Sequence, residues 1–265
     1  MLISVIVTIR NEELHIRELL DSLVAQEGPL EILLVDAFST DKTIAIVEEY
    51  MKRHEAVRLH LKGGTRGEGR NFGIAEAKGE AVAFIDGDCV ADPAWLEHIR
   101  KDILAGHEIV AGKTIRTGKS EFARLSRVEL FYQGVDLTFP SCNLAYKTGV
   151  LKNVGVFDTL FRTAEDIDLN YRAVRAGHKI HYDENAVVSH HERDTLVAFF
   201  KQAFWNGYGR KQLTLKHGRL WSNYSITNMI QHDMSFWYLL RTTIALLGYM
   251  TAKARERKTD YRSPD

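Results

Sequence analysis

The chain has little cysteine, little proline and no excess of charge. Its 265 residues include only Cys89 and Cys142, too few for a disulfide framework or a cysteine-rich zinc site, so a reducing compartment is expected. Four prolines leave no linker-like stretch that would mark a domain boundary. Lys and Arg together number 35, as do Asp and Glu, and this balance argues against nucleic acid as the main partner.

The sequence also lacks a recognisable signal peptide and a long apolar run. Met1 leads directly into a strand-like segment, without the basic start and small-residue cleavage site of a signal peptide. The most apolar stretch, residues 236–250, is shorter than the roughly 20 residues of a membrane-spanning helix, and Arg241 interrupts it. We therefore expect a cytoplasmic protein.

Aromatic residues open this apolar stretch, and cations follow it. The cations are Lys253, Arg255, Arg257 and Lys258. Such a segment favours a helix that lies on an anionic membrane surface, here the inner face of the cell membrane. A helix packed on the rest of the protein and a dimer contact are the alternatives.

Strands and helices alternate through the first part of the chain. Apolar strands are predicted at residues 3–9, 32–35, 57–61 and 81–86. The first helix is expected to start at an Asn11 cap and the second at caps among residues 39–41; the third, over 71–77, follows a glycine-rich stretch. This order predicts an α/β fold with a mostly parallel sheet flanked by helices on both faces.

The later part of the chain is less regular. Its predicted elements are short strands at 109–113, 142–145, 180–182 and 186–188, a helix within 157–176, and an apolar helical tail from residue 223. No internal repeat interrupts this order.

The strand at residues 81–86 runs into the acidic segment Asp86, Gly87 and Asp88. Ligands of open α/β sheets bind beyond the carboxyl ends of the strands. Two carboxylates separated by one small residue can hold Mg2+ or Mn2+, which prefer oxygen ligands and bridge carboxylates to phosphates. The segment therefore indicates a metal–diphosphate site, with an acidic surface turn as the alternative.

Polar residues also follow other predicted strands. They are Thr8, Arg10 and Glu12 after the first strand, Asp36 after the second, and Arg70 after the glycine-rich stretch. Each has a plain structural explanation, such as a helix start, a strand end or a solvated cation. Because the carboxyl ends of parallel strands share one edge, we expect these side chains to converge and to bind a base, a ribose or a phosphate.

Four motifs, in this order, resemble those of family 2 glycosyltransferases of the GT-A fold. They occupy residues 4–13, 35–43, 69–75 and 86–88. The resemblance extends to about residue 215. It implies a GT-A type Rossmann-like domain over 1–215, with a nucleotide-binding half at about 1–115 and an acceptor-side half at 116–215, followed by a helical tail at 216–265.

The resemblance also implies a reaction. It is the inverting transfer of a sugar from a UDP- or GDP-sugar to a hydroxyl of a glycan or lipid-linked acceptor, assisted by Mg2+ or Mn2+. Asp88 is then the main metal ligand, with Asp86 near the ribose or the ion. His190 completes the metal shell, although packing is its structural alternative. Ala37 stands where many members have a second aspartate, so base recognition by Asp36 stays open.

The resemblance places a general base within residues 163–168. Segments 140–147 and 154–158 resemble the acceptor-side region that precedes an acidic pair in this family. On that match Asp166 takes the proton of the acceptor hydroxyl, and Glu165 is the competing assignment. Thr163 and Asp166 also have the spacing of a helix capping box, which is the structural alternative.

Residues 204–211 place Arg210 beside glycines. We expect a flexible loop that closes over the diphosphate and stabilises the leaving group. A solvated basic helix end is the alternative.

Two other functions fit parts of the sequence. Haloacid-dehalogenase-type phosphatases also place Asp-x-Asp after an apolar strand, but on an early strand, whereas three strand motifs precede it here. A non-catalytic nucleotide-sugar-binding protein would keep the fold without turnover, and Ala37 is the feature that favours it.

Overall fold

The computed structural model describes residues 1–117, 125, 127–191, 195–218, 220 and 235–256, with side chains up to residue 252. Its strands are β1 (Ile3–Ile9), β2 (Leu30–Asp36), β3 (Val57–Leu61), β4 (Ala81–Asp86), β5 (Cys89–Ala91), β6 (Ile109–Arg116), β7 (Phe131–Tyr132), β8 (Val135–Asp136), β9 (Leu144–Lys147) and β10 (Ile180–His190). Its helices are α1 (Ile16–Val24), α2 (Thr43–Met51), α3 (Arg66–Glu76), α4 (Trp95–Leu104), α5 (Thr148–Val154), α6 (Glu165–Arg175), α7 (Leu196–His217) and α8 (Phe236–Glu256).

Eight strands form one sheet in the order β3-β2-β1-β4-β9-β6-β10-β5. The first four are mutually parallel, and β6 and β10 form another parallel pair. β9 runs antiparallel between β4 and β6, and β5 is antiparallel to β10 at the edge. The predicted α/β class with a mostly parallel sheet is confirmed.

Helices cover both faces of this sheet. Along β1, Val5 and Val7 pack in the cluster that contains residues of α1, α2 and α4, whereas Ile6 packs in the cluster with α5 and α6. Each of these side chains is at most 1% exposed. Burying one such side chain stabilises the fold by about 1.5–3 kcal/mol.

Helix α3 begins earlier than predicted, at Arg66 rather than near Asn71. Thr65 and Glu68 form a capping box, in which each side chain bonds the other residue's backbone N–H. The later glycines therefore lie inside the helix. A Cβ on Gly73 would lie 2.6 Å from Ile6 Cγ2, so the missing side chain lets α3 pack directly on β1.

Helix α1 begins later than predicted, at Ile16, and Asn11 is not its cap. Asn11 has a positive φ of 56°, and its side-chain oxygen accepts a hydrogen bond from Thr40 N at 2.8 Å. The segment before α1 is bound to the loop after β2 by further bonds, such as Glu12 N to Thr43 Oγ1 at 2.8 Å. These tertiary bonds replace the local cap that the sequence suggested.

Two predictions for the later strands are also corrected. The segments 180–182 and 186–188 belong to one strand, β10, whose pairing with β6 shifts register between Asp183 and Val187. Residues 141–143 form a 3-10 turn, so β9 starts at Leu144 rather than Cys142.

The expected flexible loop at residues 204–211 is wrong, because these residues lie inside helix α7. A Cβ on Gly207 would overlap the carbonyl of Ala245 in α8, and one on Gly248 would overlap that of Phe204 in α7. The glycines therefore allow two helix backbones to touch. They serve close packing rather than movement.

Helix α8 thus packs on α7 with one side and leaves an apolar stripe on the other. The stripe consists of Phe236, Leu239, Leu246, Leu247 and Met250, each more than half exposed. Within the described part of the chain, no helix has the length and apolarity required to cross a bilayer. Parts of the predicted tail lie outside the described residues. They are the side chains of Lys253 and Arg255, the residues Arg257 and Lys258, and positions 223–234.

Candidate active site

Three parallel strands end side by side at one edge of the sheet. Thr8 of β1 pairs with Asp86 of β4, and Ile9 pairs with Asp36 of β2. The structure therefore brings together the strand-end residues that the sequence singled out. Thr8 Oγ1 is buried and has no hydrogen-bond partner among the residues described, which leaves it available to a ligand.

Asp36 is fully buried beside this edge. Its carboxylate accepts hydrogen bonds from Ser39 N at 2.7 Å and Ser39 Oγ at 2.6 Å, so it holds the loop after β2. Contact between Asp36 and a nucleotide base stays a prediction. Arg10 is exposed at the rim of the same edge.

Gly87 allows Glu12 to approach the acidic segment closely. A Cβ on Gly87 would lie 2.9 Å from Ile9 Cγ2 and 3.0 Å from Glu12 Cγ. The glycine between the two aspartates is therefore a packing requirement as well as a turn. It places the Glu12 side chain beside Asp86 and Asp88.

Arg70 joins the acidic segment to the acids of α6. Its guanidinium donates to Glu165 Oε1 at 2.7 Å and to Asp86 Oδ1 at 2.9 Å, and the residue is only 2% exposed. Burial alone would lower the pKa of Arg70, but the charges of Asp86 and Glu165 raise it above its ordinary value. Direct contact of Arg70 with a nucleotide stays a prediction.

Asp88 and His190 face each other across the end of β10. His190 Nε2 lies 3.3 Å from Asp88 Oδ1, and the backbone N–H of His191 donates to the carbonyl of Asp88 at 2.9 Å. Burial opposes the charged imidazole, but the hydrogen bond and charge of Asp88 raise the pKa of His190 to about 9. His190 therefore lies beside Asp88, and its place in a metal shell stays a prediction.

The residues at this point suit a divalent cation. Ligand atoms of Asp88, Cys89 and His190 all lie within 4.8 Å of one another, and Asp86 stands two residues away. Carboxylate and imidazole donors suit Mn2+, and carboxylates suit Mg2+. The donor set fits the ion that the sequence led us to expect.

The two neighbouring acids of α6 differ in their partners. Glu165 is buried and neutralised by Arg70. Asp166 is half-buried and accepts hydrogen bonds from Ser141 N at 3.2 Å and Ile167 N at 2.8 Å. Burial and the charge of Glu165 raise the pKa of Asp166 above its ordinary value. A carboxylate with a raised pKa is the better proton acceptor, so this geometry favours Asp166 over Glu165 as base.

The capping-box alternative for Asp166 is wrong. Helix α6 begins at Glu165 after Ala164, which has a positive φ of 64°, and no side chain caps the helix. A Cβ on Gly209 of α7 would lie 2.8 Å from the Thr163 carbonyl oxygen and 3.0 Å from Ala164 Cβ. The missing side chain of Gly209 therefore lets α7 pack against the strained turn that presents Asp166.

Sequence reasoning gave no role to Asp168, which anchors α6. Its fully buried carboxylate contacts His217 at 2.7 Å, Lys216 at 2.8 Å and Arg172 at 2.9 Å. Burial opposes its charge, but these three partners lower the pKa of Asp168 to about 2. The i,i+4 spacing of Asp168 and Arg172 was a visible signal; the two partners on α7 were not.

Arg210 lies on α7 rather than on a loop. It donates to the carbonyl of Val128 at 2.7 Å. This bond ties α7 to the segment that precedes β7, and contact of Arg210 with a diphosphate stays a prediction.

An α/β sheet with acids and a histidine at its carboxyl edge, and further acids on an adjacent helix, is the arrangement expected of a GT-A type fold. The model of the family "Glycosyl transferase family 2" matches residues 4–162, and "Glycosyltransferase like family 2" matches 128–209. The first match covers more than half of the sequence. The chain belongs to glycosyl transferase family 2.

A curated relative is the "Pre-mycofactocin glycosyltransferase" of Mycobacterium tuberculosis, 25% identical over 241 residues. The match covers 81% of this chain but only 48% of that protein, so the chain spans about half the length of this relative.

Two solved structures share the fold. Staphylococcus aureus TarS residues 1–349 in complex with UDP-GlcNAc has a TM-score of 0.62 at 20% identity, over 100% of this chain and 94% of that one. The mannosyltransferase PcManGT from Pyrobaculum calidifontis, in complex with GDP-Man and Mn2+, has a TM-score of 0.64 at 19% identity. The match covers 98% of this chain and 76% of that one. Family membership replaces the phosphatase hypothesis.

Proposed function

We propose that this glycosyltransferase moves a sugar, with inversion, from a UDP- or GDP-sugar to a hydroxyl group of a glycan or lipid-linked acceptor. One observation carries the proposal. The acidic segment at the end of β4 and Glu165 of α6 are joined through buried Arg70, which supports placing the proposed donor site beside the proposed base. The fold neighbours solved in complex with UDP-GlcNAc and with GDP-Man support a nucleotide-sugar donor.

On the donor side, Asp88, Asp86 and His190 would hold Mg2+ or Mn2+. The cation, when bound, supplies positive charge that offsets the diphosphate leaving group. The free hydroxyl of Thr8, together with Glu12 and Asp36, lines the edge where ribose and base would lie. The complex of PcManGT with Mn2+ supports the choice of metal.

On the acceptor side, Asp166 would accept the proton of the attacking hydroxyl on a carboxylate oxygen. The hydroxyl oxygen forms a bond to the anomeric carbon as the bond to the diphosphate breaks on the opposite face, which inverts the anomeric configuration. The raised pKa of Asp166 strengthens it as a base, and Arg70 holds the neighbouring Glu165 in place.

The exposed apolar stripe of α8 supports the proposal that the protein acts at a membrane surface. The exposed stripe of α8 would lie on an anionic cytoplasmic leaflet, with the domain over residues 1–215 above it and the tail at 216–265 as the contact. This arrangement suits a lipid-linked acceptor, whose sugar would be presented close to the bilayer.

The test of the donor proposal is a thermal-shift titration against UDP- and GDP-sugars, with and without Mn2+. We expect one nucleotide to raise the melting temperature only when the metal is present. An acceptor panel then tests transfer. A folded protein that binds no donor in either condition would overturn the proposal, and donor binding without transfer or hydrolysis would favour the non-catalytic alternative.

The test of the membrane proposal is co-sedimentation with vesicles that contain anionic phospholipid. Leu246→Glu with Leu247→Glu should abolish binding, whereas Leu104→Glu, an equally conspicuous exposed leucine on α4, should not. Equal binding by all three proteins would exclude the α8 stripe as the contact.

A further inference from the structure

A second group of ionisable side chains lies at the opposite edge of the sheet from Asp88. It is built by α4 and β10, which pack against each other. His98 and Asp102 are four residues apart on α4 and share one helix face, while His181 and Asp183 are two residues apart and share one strand face. The pairs meet, with His98 Nδ1 at 3.2 Å from Asp183 Oδ2 and His181 Nε2 at 3.4 Å from Asp102 Oδ2.

A third histidine completes the group. His107 N donates to the carbonyl of Asp102 at 3.1 Å, which fixes the turn after α4, and Gly106 allows that turn with a φ of 107°. The His107 ring stacks on that of His181 with centroids 3.8 Å apart and planes 5° from parallel. Ligand atoms of Asp102, His107 and His181 all lie within 4.8 Å of one another.

The carboxylate of Asp102 is unusual within this group. Its Oδ2 atom is buried and makes no hydrogen bond to any residue in the described ranges, because the 3.4 Å contact with His181 lacks hydrogen-bond geometry. A buried carboxylate oxygen without a donor is costly unless a cation neutralises it. Asp183, whose side chain contacts that of Asp102, brings a second acid to the same point.

We propose that Asp102, His107 and His181 form a binding site for a zinc-class transition metal, separate from the donor site. Two imidazoles and a carboxylate are a donor set for Zn2+ rather than for Mg2+. Two ligand atoms about 2.1 Å from a tetrahedral ion lie about 3.4 Å apart, which matches the spacing of His181 Nε2 and Asp102 Oδ2. Asp183 is our candidate for the fourth ligand.

The geometry needs one small adjustment, since nitrogens of parallel rings do not converge on a single point. His107 is exposed, so its ring can turn about its broad χ2 torsion towards Asp102 at little cost. The ion would then join the end of α4, the turn before β6 and the start of β10. His181 and His190 pair with Val110 and Arg116 of β6, which are six residues or about 20 Å of strand apart, so this ion is not the donor-site metal.

The site is tested by isothermal titration of the metal-free full-length protein with Zn2+, made in the Asp88→Ala background to remove binding at the donor site. We expect one tight equivalent at micromolar zinc or below. Adding His107→Ala should weaken that equivalent by at least about tenfold, as expected when a metal ligand is lost. His54→Ala, which removes a histidine outside the group, should leave the titration unchanged.

A second readout guards against a folding effect. Co2+ bound to the parent protein should show the visible absorption of a tetrahedral ion, and this signal should be lost in His107→Ala and in Asp102→Asn while their circular dichroism is unchanged. Zinc binding that is the same in the parent and in His107→Ala, or that needs millimolar zinc, would overturn the proposal.

Discussion

The donor-side half of the sheet and the acid-bearing helix α6 are held in place by different interactions. β1, β2 and β4 are buried on both faces by aliphatic side chains such as Val5, Ile6 and Val7. Helix α6 adds buried charges to its apolar packing, with Glu165 bound to Arg70 and Asp168 bound to His217. Aliphatic contacts tolerate exchange of similar side chains, whereas removing a partner leaves a buried charge uncompensated. The scaffold is therefore robust, and the position of the proposed base is specific.

The largest expected effect is a loss of catalytic rate on changing Asp166 of α6, with the donor-side half of the sheet left intact. Asp166→Asn removes the proposed proton acceptor and should lower kcat by about 10²–10⁴, with donor binding kept. Because the pKa of Asp166 is raised, the wild-type rate should fall with decreasing pH at a higher pH than for an ordinary aspartate. Single-turnover kinetics with a fixed donor concentration measure the reduced rate of Asp166→Asn and the pH dependence of the wild-type rate. Full transfer by Asp166→Asn would remove it as base.

Arg70→Met tests whether buried charge holds the two regions together. It leaves Glu165 and Asp86 without their cation and should destabilise the fold by about 3–5 kcal/mol in urea unfolding. Ile6→Val, on the aliphatic side, should cost only about 0.5–1.5 kcal/mol. Arg70→Lys keeps the charge, so it separates loss of charge from loss of the forked geometry. Equal costs for Arg70→Met and Ile6→Val would contradict the comparison.

Asp88→Ala removes a carboxylate of the proposed metal site. It tests the donor-side half of the sheet, as Asp166→Asn tests helix α6. Metal-dependent donor affinity should fall by about 100-fold or more, since even outer-shell changes cost 10–100-fold. Donor titrations followed by tryptophan fluorescence, with and without Mn2+, measure the loss. A variant that still shows the full effect of Mn2+ would place the metal elsewhere.

The smallest expected effect concerns Asp168. Its folded pKa of about 2 lies below its unfolded value, so its ion pairs stabilise the protein above about pH 4, and this stabilisation is lost as pH falls through about 2. Asp168→Asn should therefore cost about 2 kcal/mol at pH 7 and progressively less between pH 4 and 2. Glu49→Gln, which breaks an exposed pair with Arg17, is the control and should change stability little at any pH. A pH-independent cost for Asp168→Asn would point to packing instead of charge.

The same contrast explains what could be predicted from the sequence. The limits of Ala81–Asp86 follow from the sequence because a buried parallel strand is a continuous apolar run, and those of Val57–Leu61 follow because its apolar residues alternate with polar ones. The convergence of Thr8, Asp36 and Asp86 followed from the rule that parallel strands end at one edge.

The rest depended on partners far away in the chain. Arg70 and Glu165 are 95 residues apart, and no local pattern marks them as a pair. The start of α1 shifted to Ile16 because bonds to the loop after β2 outweigh a local cap at Asn11. The glycines of α7 favour a loop when only the sequence is considered, but their neighbours on α8 and before α6 explain them as contact points.

Those contact points have a consequence for how this protein can be re-engineered. Gly207 and Gly209 lie two residues apart on α7, and each faces a different neighbour that leaves no space for a methyl group. A mutagenesis library aimed at new acceptors should therefore keep positions 207, 209 and 248 as glycine. The five exposed apolar side chains of α8 should be kept as well, because they form the proposed membrane contact.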